Sequence, residues 1–421
     1  MSTNHKTTQN VQSPNEAFDV TVVGGGPTGA FVALNLAKIG VHTVVFEENP
    51  VVGAPSHCAG HLSIKGLARL GLYPLPKSIV ENTFSRARFF AYNGFEFSIN
   101  LKKPVTCAIN RQAFDEYLAE KAVAAGADYR LNSYVHSLRT ETGFTKGVNI
   151  VTQDGKTAAF TSKITIDAEG ISSRILKQTG LSTPRNRKIV YAIETEIENT
   201  NDLDTDAVEV FLGNDFAPGF YGWLIPRLDG TAKLGLATNK GNPKDYLNRL
   251  MLKHPIASRQ LKKAKITRTS FHTIPLSGPI SHAYANGFLA VGDAASQVKP
   301  TTGGGVVFGL TAAKIAAQTA SQAITMGDYS SKQLSLYQKI CDETLGFDAK
   351  VMTRARNFLD KLSDEEIKNA MKFCSTIGLG KSLADVDEID FQGQTLLKTI
   401  NKPAVAATLF YFIGLYLSAN L

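Results

Sequence analysis

Residues Phe18 to Gly29 read Phe-Asp-Val-Thr-Val-Val-Gly-Gly-Gly-Pro-Thr-Gly, and no other stretch restricts the fold of this chain as much. Phe18, Val20, Val22 and Val23 form a short apolar run, the pattern of a strand buried inside a parallel sheet. Gly24, Gly26 and Gly29 follow at G-x-G-x-x-G spacing. The first allows a tight turn, the second lets a pyrophosphate approach the backbone, and the third lets a helix lie close on the strand. That helix is expected over Ala30 to Ile39, its N–H groups toward the phosphates and Gly40 as its stop. Val41 to Phe46 is the next strand, and Glu47 ends it with a carboxylate suited to ribose hydroxyls. Together these elements imply an α/β fold around an adenine dinucleotide. They fit a flavin enzyme and a dehydrogenase equally well.

A chain of 421 residues, 43% apolar and 19% charged, can bury a large core in two or three lobes. Its opening stretch, 1–17, is polar and aperiodic, so a tail is expected there. It lacks the apolar core of a signal peptide, which makes the expected location cytoplasmic, with peripheral contact to the cytoplasmic membrane face as a further option. Lys plus Arg number 45 against 37 Asp plus Glu, and the resulting +8 suits an anionic substrate, an acidic membrane face or an acidic electron donor. No aromatic-basic motif accompanies that charge, so nucleic acid is not an expected partner. Cys58, Cys107, Cys341 and Cys374 share no C-x-x-C spacing. Neither a disulfide scaffold nor a metal site is expected, although His57 and His61 flank Cys58.

Further along, Ser63 can cap a short helix over Ile64 to Leu70, and Phe84 to Leu101 alternates around Asn93-Gly94, a hairpin signal. Asn110 to Ala125 has helical spacing. Strands near Ala127 to Arg139, Gly147 to Thr152 and Lys163 to Asp167 return the chain to the first sheet. Ile189 to Ile197, Ala207 to Leu212, Gly222 to Pro226 and Ala232 to Thr238 follow with little helix between them, as in an inserted antiparallel sheet. A helix over Asp245 to Leu261, a strand over Lys262 to Thr273, a buried strand at Phe288 to Val291 and a helix from Gly304 to Met326 come next. The expected units are therefore a dinucleotide domain (18–182 with 275–330), a sheet domain (187–273, joined by 76–105) and a helical region (331–421).

Gly287 to Gly305 decides between the two enzyme types. A strand ends on Gly292-Asp293, where an acid can bind a polyol hydroxyl, and Gly303, Gly304 and Gly305 then expose backbone N–H groups at a helix start. A flavin needs both, an acceptor for its ribityl chain and positive potential beside its pyrimidine ring.

With these motifs the chain resembles the geranylgeranyl reductase family of flavoproteins, within the wider p-hydroxybenzoate hydroxylase group. The resemblance spans roughly Phe18 to Met326. It rests on the N-terminal fingerprint ending in Glu47, on Arg111 within Asn-Arg-Gln-Ala-Phe-Asp, and on Thr165 to Arg174, where Glu169 stands in place of the usual Asp. The Gly292-Asp293 stretch is the fourth match. Pro218-Gly-Phe-Tyr-Gly-Trp-Leu-Ile-Pro226 is the fifth, resembling P-x-x-Y-x-W-x-F-P with Ile225 for Phe, and it separates the reductases from the hydroxylases.

The resemblance implies FAD in a Rossmann-like domain with an inserted antiparallel substrate sheet and a C-terminal helical region. It implies Arg111 near the FAD phosphates and Thr28, Ala59, Val135 and Val306 among the cofactor contacts. Cys58, in His-Cys-Ala-Gly-His, would lie beside the isoalloxazine. Tyr221 and Trp223, at i and i+2, share one strand face and are read as a wall of an apolar substrate cavity; Cys58 and Tyr221 are the candidate proton-side groups. The implied reaction saturates geranylgeranyl C=C bonds, of digeranylgeranylglycerophospholipid or of the free diphosphate. A monooxygenase of the same fold and a flavin-binding electron carrier are the alternatives. With no second dinucleotide fingerprint, the electron donor is external: ferredoxin, a deazaflavin or NAD(P)H. Pro403 to Leu421 carries no charge and is expected to close the lipid site or rest on the membrane without spanning it.

Overall fold

A computed structural model describes residues 16–184, 188–200 and 203–418, so all but the last two residues of the expected tail lie outside it. Eight strands make the first sheet. β1 (Ala17–Val23) lies between β2 (Thr43–Phe46) and β11 (Thr157–Asp167), parallel to both. Val20 to Val23 are all buried, as a strand covered on both faces requires. β8 (Asp128–Arg130) extends the sheet beyond β2; β18 (Phe288–Ala290) and β17 (Tyr284–Ala285) extend it beyond β11. The first residues of β11 pair with β10 (Phe144–Thr152), which pairs with β9 (Ser133–Glu141). α1 (Pro27–Ala37) packs against α3 (Arg111–Ala124) and α7 (Val306–Met326). It begins three residues earlier than the apolar spacing suggests, because Pro27 at the first helical position brings a φ already suited to the helix.

A small sheet of β3 (His61–Ser63), β4 (Val80–Phe84) and β7 (Thr106–Ile109) follows the cofactor strands. α2 (Ile64–Arg69) and α3 start as expected, with Ser63 Oγ accepting from Gly66 N at 2.9 Å and Asn110 Oδ1 from Ala113 N at 3.0 Å. The second sheet has the order β16 (Lys265–Pro275), β12 (Ile189–Glu198), β15 (Ala232–Thr238), β14 (Gly222–Pro226), β13 (Ala207–Phe211), β5 (Arg86–Phe90), β6 (Glu96–Asn100). β5 and β6 are the expected hairpin, with Gly94 at φ +85°, and β5 joins β13 in parallel.

Strand alternation gives this second sheet two distinct faces. Ile193, Leu224, Leu234 and Leu236 point outward under α5 (Pro243–Lys253) and α6 (Ala257–Gln260). Ala192, Trp223, Ile225 and Ala237 point inward, packing with Phe84 and Ala108 of the small sheet. The single helix expected over Asp245 to Leu261 is broken in two. Pro255 lacks an N–H and drives the residue before it out of the helical region, and His254 is extended at ψ 130°.

α4 (Arg174–Gln178) follows β11, and the C-terminal region consists of α8 (Ser331–Cys341), α9 (Phe347–Leu359), α10 (Asp364–Thr376), α11 (Leu379–Ser382), α12 (Gln392–Thr399) and α13 (Pro403–Ser418). Asp364, in the first turn of α10, accepts from Asn214 N at 2.6 Å and ties the helices to the second sheet. α13 stacks Tyr411 on Phe373 and sets Phe412 edge-on to Phe358, leaving Phe410 74% and Ile413 44% exposed. Among the described residues no helix is long and apolar enough to cross a membrane.

Candidate active site

The glycine turn after β1 has three different reasons for its three glycines. Gly24 sits at φ +94°, and a Cβ there would lie 2.5 Å from the Ala168 carbonyl oxygen. A Cβ on Gly29 would lie 2.0 Å from Gly24 O, so α1 can approach β1 only with glycine there. A Cβ on Gly26 would meet nothing within 4 Å, because Gly26 faces a cavity. That space is where the pyrophosphate of a dinucleotide would lie. Thr28 fills the gap between Gly292 and Gly309, either of whose Cβ atoms would fall within 3 Å of its Oγ1. Glu47 accepts from Gly25 N at 2.7 Å and from Asn49 N at 2.9 Å. These contacts hold its carboxylate at the cavity wall.

The cavity encloses about 420 Å³. Gly24, Gly26, Thr28, Glu47, Cys58, Arg111, Val135, Asp293, Gly303, Gly305 and Val306 all line it. Gly29, Ala59 and Gly304 do not line it. Gly29 packs helix on turn, Ala59 joins the inner-face cluster, and Gly304 covers Lys299, whose Cε would be 2.8 Å from an added Cβ. Lys299 in turn bonds Asp390 at 2.6 Å, a buried link from the glycine loop to the C-terminal region.

Burial pushes Asp293 up to about 6 against the pull of Arg111, so it is ionised and an acceptor at neutral pH. Burial also works against the Arg111 charge, but Asp115 at 2.9 Å and the neighbouring Cys58 outweigh it and raise the guanidinium further. Glu169 caps α4, its Oε1 accepting from Ile175 N at 2.7 Å and Leu176 N at 3.1 Å. Its additional methylene, relative to Asp, gives it the length to reach these donors.

Tyr221 and Trp223 share the inner face, as their spacing requires, with ring centroids 5.9 Å apart. Neither lines the cofactor cavity nor the smaller one beside it; both rings pack against their neighbours. Tyr221 stacks on Phe220 and donates to Thr302 O at 2.7 Å, beside Gly303. Its burial raises the phenol above the ordinary tyrosine value, and it is poorly suited to give up a proton. Trp223 lies over Gly235, whose added Cβ would come within 2.5 Å of the indole, and donates Nε1–H to Glu194 Oε2 at 2.7 Å.

A second cavity, of about 210 Å³, was not foreseen. Glu81, Glu194, Glu196, Arg227, Lys233 and Arg268 line it, and it shares Ser56, Cys58 and Arg111 with the cofactor cavity. Its sequence signal is the pair Glu194 and Glu196, at i and i+2 within β12. Burial pushes Glu194 up to about 8. His272, also unforeseen, lines the cofactor cavity; burial, with the charges of His57 and Arg111, pushes it down to about 4. His61 is likewise neutral at about 4, through burial and the nearby Lys299 and Lys233.

Residues 17–343 match the FAD binding domain family. The digeranylgeranylglycerophospholipid reductase 2 of Methanopyrus kandleri is 33% identical over 356 residues, 83% of this chain and 88% of that protein. The digeranylgeranylglycerophospholipid reductase of Methanocaldococcus jannaschii is 30% identical over 388 residues, 91% of this chain and 96% of that one. A solved geranylgeranyl bacteriochlorophyll reductase-like protein from Thermoplasma acidophilum has a TM-score of 0.83 at 27% identity, covering 94% of this chain and all of that one. A flavin-dependent brominase, at TM-score 0.69 and 18% identity over 92% of this chain and 99% of its own, shares the fold alone. FAD fits the residues present: open space at Gly26, an acid at Glu47 for the ribose, and Asp293 with the Gly303–Gly305 turn for the flavin end. The chain belongs to the FAD binding domain family and, within it, to the family of the digeranylgeranylglycerophospholipid reductases.

Proposed function

We propose that the chain saturates the C=C bonds of geranylgeranyl chains, those of digeranylgeranylglycerophospholipid in archaeal membrane-lipid synthesis. The observation that carries this reading is the junction at Cys58, where the cofactor cavity meets the inner face of the second sheet, in a chain related over most of its length to reductases of that name. Bound FAD, when reduced, supplies a hydride to one alkene carbon. The N-terminus of α1 and Gly26 hold the diphosphate, and Glu47 the ribose. Asp293 accepts from the ribityl chain, and the start of α7 favours negative charge on the reduced ring. Cys58, at the cavity junction, is better placed than the hydrogen-bonded Tyr221 to deliver a proton to the second carbon.

The test is anaerobic incubation of dithionite-reduced protein with digeranylgeranylglycerophospholipid and, separately, with geranylgeranyl diphosphate, followed by mass spectrometry. Added pairs of hydrogens in the phospholipid are expected. Preference for the diphosphate would replace the substrate, oxygen insertion in air would make the chain a monooxygenase, and failure of either lipid to reoxidise the flavin would leave an electron carrier.

The same reading gives α13 a role at the membrane. It contributes no residue to either cavity, so the site-closing alternative has no support there. Its exposed Phe410 and Ile413, on a chain of charge +8, suit an anionic lipid surface. Changing both to Asp is expected to cut co-sedimentation with anionic vesicles several-fold, with FAD content unchanged. Truncation at Lys402 would be a poorer probe, because it strips Phe358 and Phe373 of their partners. Vesicle binding equal to wild type in the double variant would remove membrane contact through this helix.

A further inference from the structure

Each alkene reduction consumes a proton, which must reach a site that excludes bulk water. Glu194 lines the polar cavity that reaches Cys58. It lies in the middle of β12 on the inner face, 6% exposed, and its Oε2 is held by Trp223 Nε1–H. Its Oε1 is shielded from solvent and has no hydrogen-bond partner among the described residues. The side chain lines the 210 Å³ cavity that Cys58 also lines. At about 30 Å³ per water, such a polar cavity has room for several in a chain. The cavity is also lined by Arg268, whose side chain is 46% exposed, and so reaches toward solvent.

We propose that Glu194 is the proton reserve of alkene reduction, feeding Cys58 through the polar cavity. This rests on the alkene-reduction reading. The Glu194 O–H bond breaks, and its proton passes along hydrogen-bonded waters to the Cys58 sulfur as the Cys58 S–H proton moves to one alkene carbon. The other carbon takes a hydride from the reduced cofactor, which is thereby oxidised by two electrons and later restored by the external donor. The Glu194 carboxylate regains a proton from solvent past Arg268.

The charges around Glu194 are arranged to leave it neutral. On β15, Lys233 is already engaged by Glu81 of β4 at 2.6 Å and by Ile109 O at 2.8 Å. Arg227, just beyond β14, is held by Glu81 and Glu196 at 3.3 and 3.4 Å. On β16, Arg268 lies 3.8 Å from Glu196, while the residue paired with Glu194 is the uncharged Ser270. Arg111 of α3 is engaged by Asp115. Burial therefore dominates; the Trp223 bond, Lys233 and Arg227 oppose it, and Glu196 on the same strand adds to it.

Trp223 is the only tryptophan in the chain, so its emission reports on the carboxyl it touches. Emission of the FAD-loaded protein, followed from pH 6 to 10, is expected to change in one step near pH 8. Glu194→Gln, which still offers an oxygen to Nε1–H, should abolish the step and keep FAD. Reoxidation of the reduced protein by the long-chain alkene should be at least tenfold slower in that variant at pH 7. Wild-type reoxidation should fall as pH rises through 8, since only the protonated acid donates, and the variant should lose this fall. Should Glu194→Gln fail to fold, Trp223→Phe removes a bond that favours the carboxylate and should move the midpoint of the reoxidation-rate profile to higher pH. Flat wild-type emission, an emission step that persists in Glu194→Gln, or an unchanged midpoint of the reoxidation-rate profile in Trp223→Phe would overturn the proposal. So would a Glu194→Gln rate and pH profile matching wild type. A step in emission with no alkene turned over would instead remove the reaction itself, leaving Glu194 a buried acid without a relay.

Discussion

Gly26→Val is expected to lose FAD by at least about 100-fold in affinity while the apoprotein keeps its stability to within about 0.5 kcal/mol. Gly26 has an ordinary φ of −66°, and a Cβ there touches no protein atom, so the fold has nothing to resist. The new side chain occupies the space through which the pyrophosphate must pass. Gly29→Ala should behave in the opposite way. Its Cβ is driven to 2.0 Å from Gly24 O, and separating α1 from β1 to relieve that overlap costs about 3 kcal/mol before any cofactor is involved. Flavin absorbance per protein after gel filtration, set beside thermal melts of both apoproteins, separates the two effects. A Gly26→Val protein as yellow as wild type would end the assignment of the pyrophosphate to this turn.

Cys58→Ser is expected to slow alkene reduction about 100-fold, the usual scale for loss of a general acid, with fold and FAD retained. The loop that carries Cys58 is fixed by Gly60, at φ +68°, whose added Cβ would lie 2.3 Å from Ile109 O. Gly60 N donates to the sulfur at 3.4 Å, and the Arg111 guanidinium lies beside it. Cys107 and Cys341, in contrast, are buried with their thiols pushed up to about 12, which makes them inert packing. Serine preserves the size and the acceptor but releases its proton far less readily than a thiol. Single-turnover reoxidation of the reduced flavin is the measurement, and normal turnover in the variant would make Cys58 another packing residue.

What could be read from the sequence was whatever is written in consecutive residues. The turn at Gly24 to Gly29, Glu47 and the Asp293 to Gly305 stretch each carry their geometry locally, and each lines or shapes the cofactor cavity. The polar cavity could not be read that way. Glu81, Glu194, Arg227, Lys233 and Arg268 come from separate segments, and only the register of β12 with β15 and β16 brings most of them together. The i, i+2 spacing of Tyr221 and Trp223 correctly put them on one face but carried no information on what covers that face. Pro255 was a legible helix breaker inside the stretch read as continuous helix; there the apolar periodicity outweighed a signal that backbone chemistry makes decisive.

The β5–β6 hairpin, sewn onto β13 far from its own place in the chain, has a mechanical consequence. The backbone passes between the regions of the two large sheets at four places: after Phe84, after Asn100, between Gln178 and Ile189, and after Pro275. A lobe tethered by one pair of linkers can swing open like a jaw, but four tethers spread around the seam oppose rotation about any single axis. A long-chain guest is therefore expected to enter without a wide opening between the two sheets.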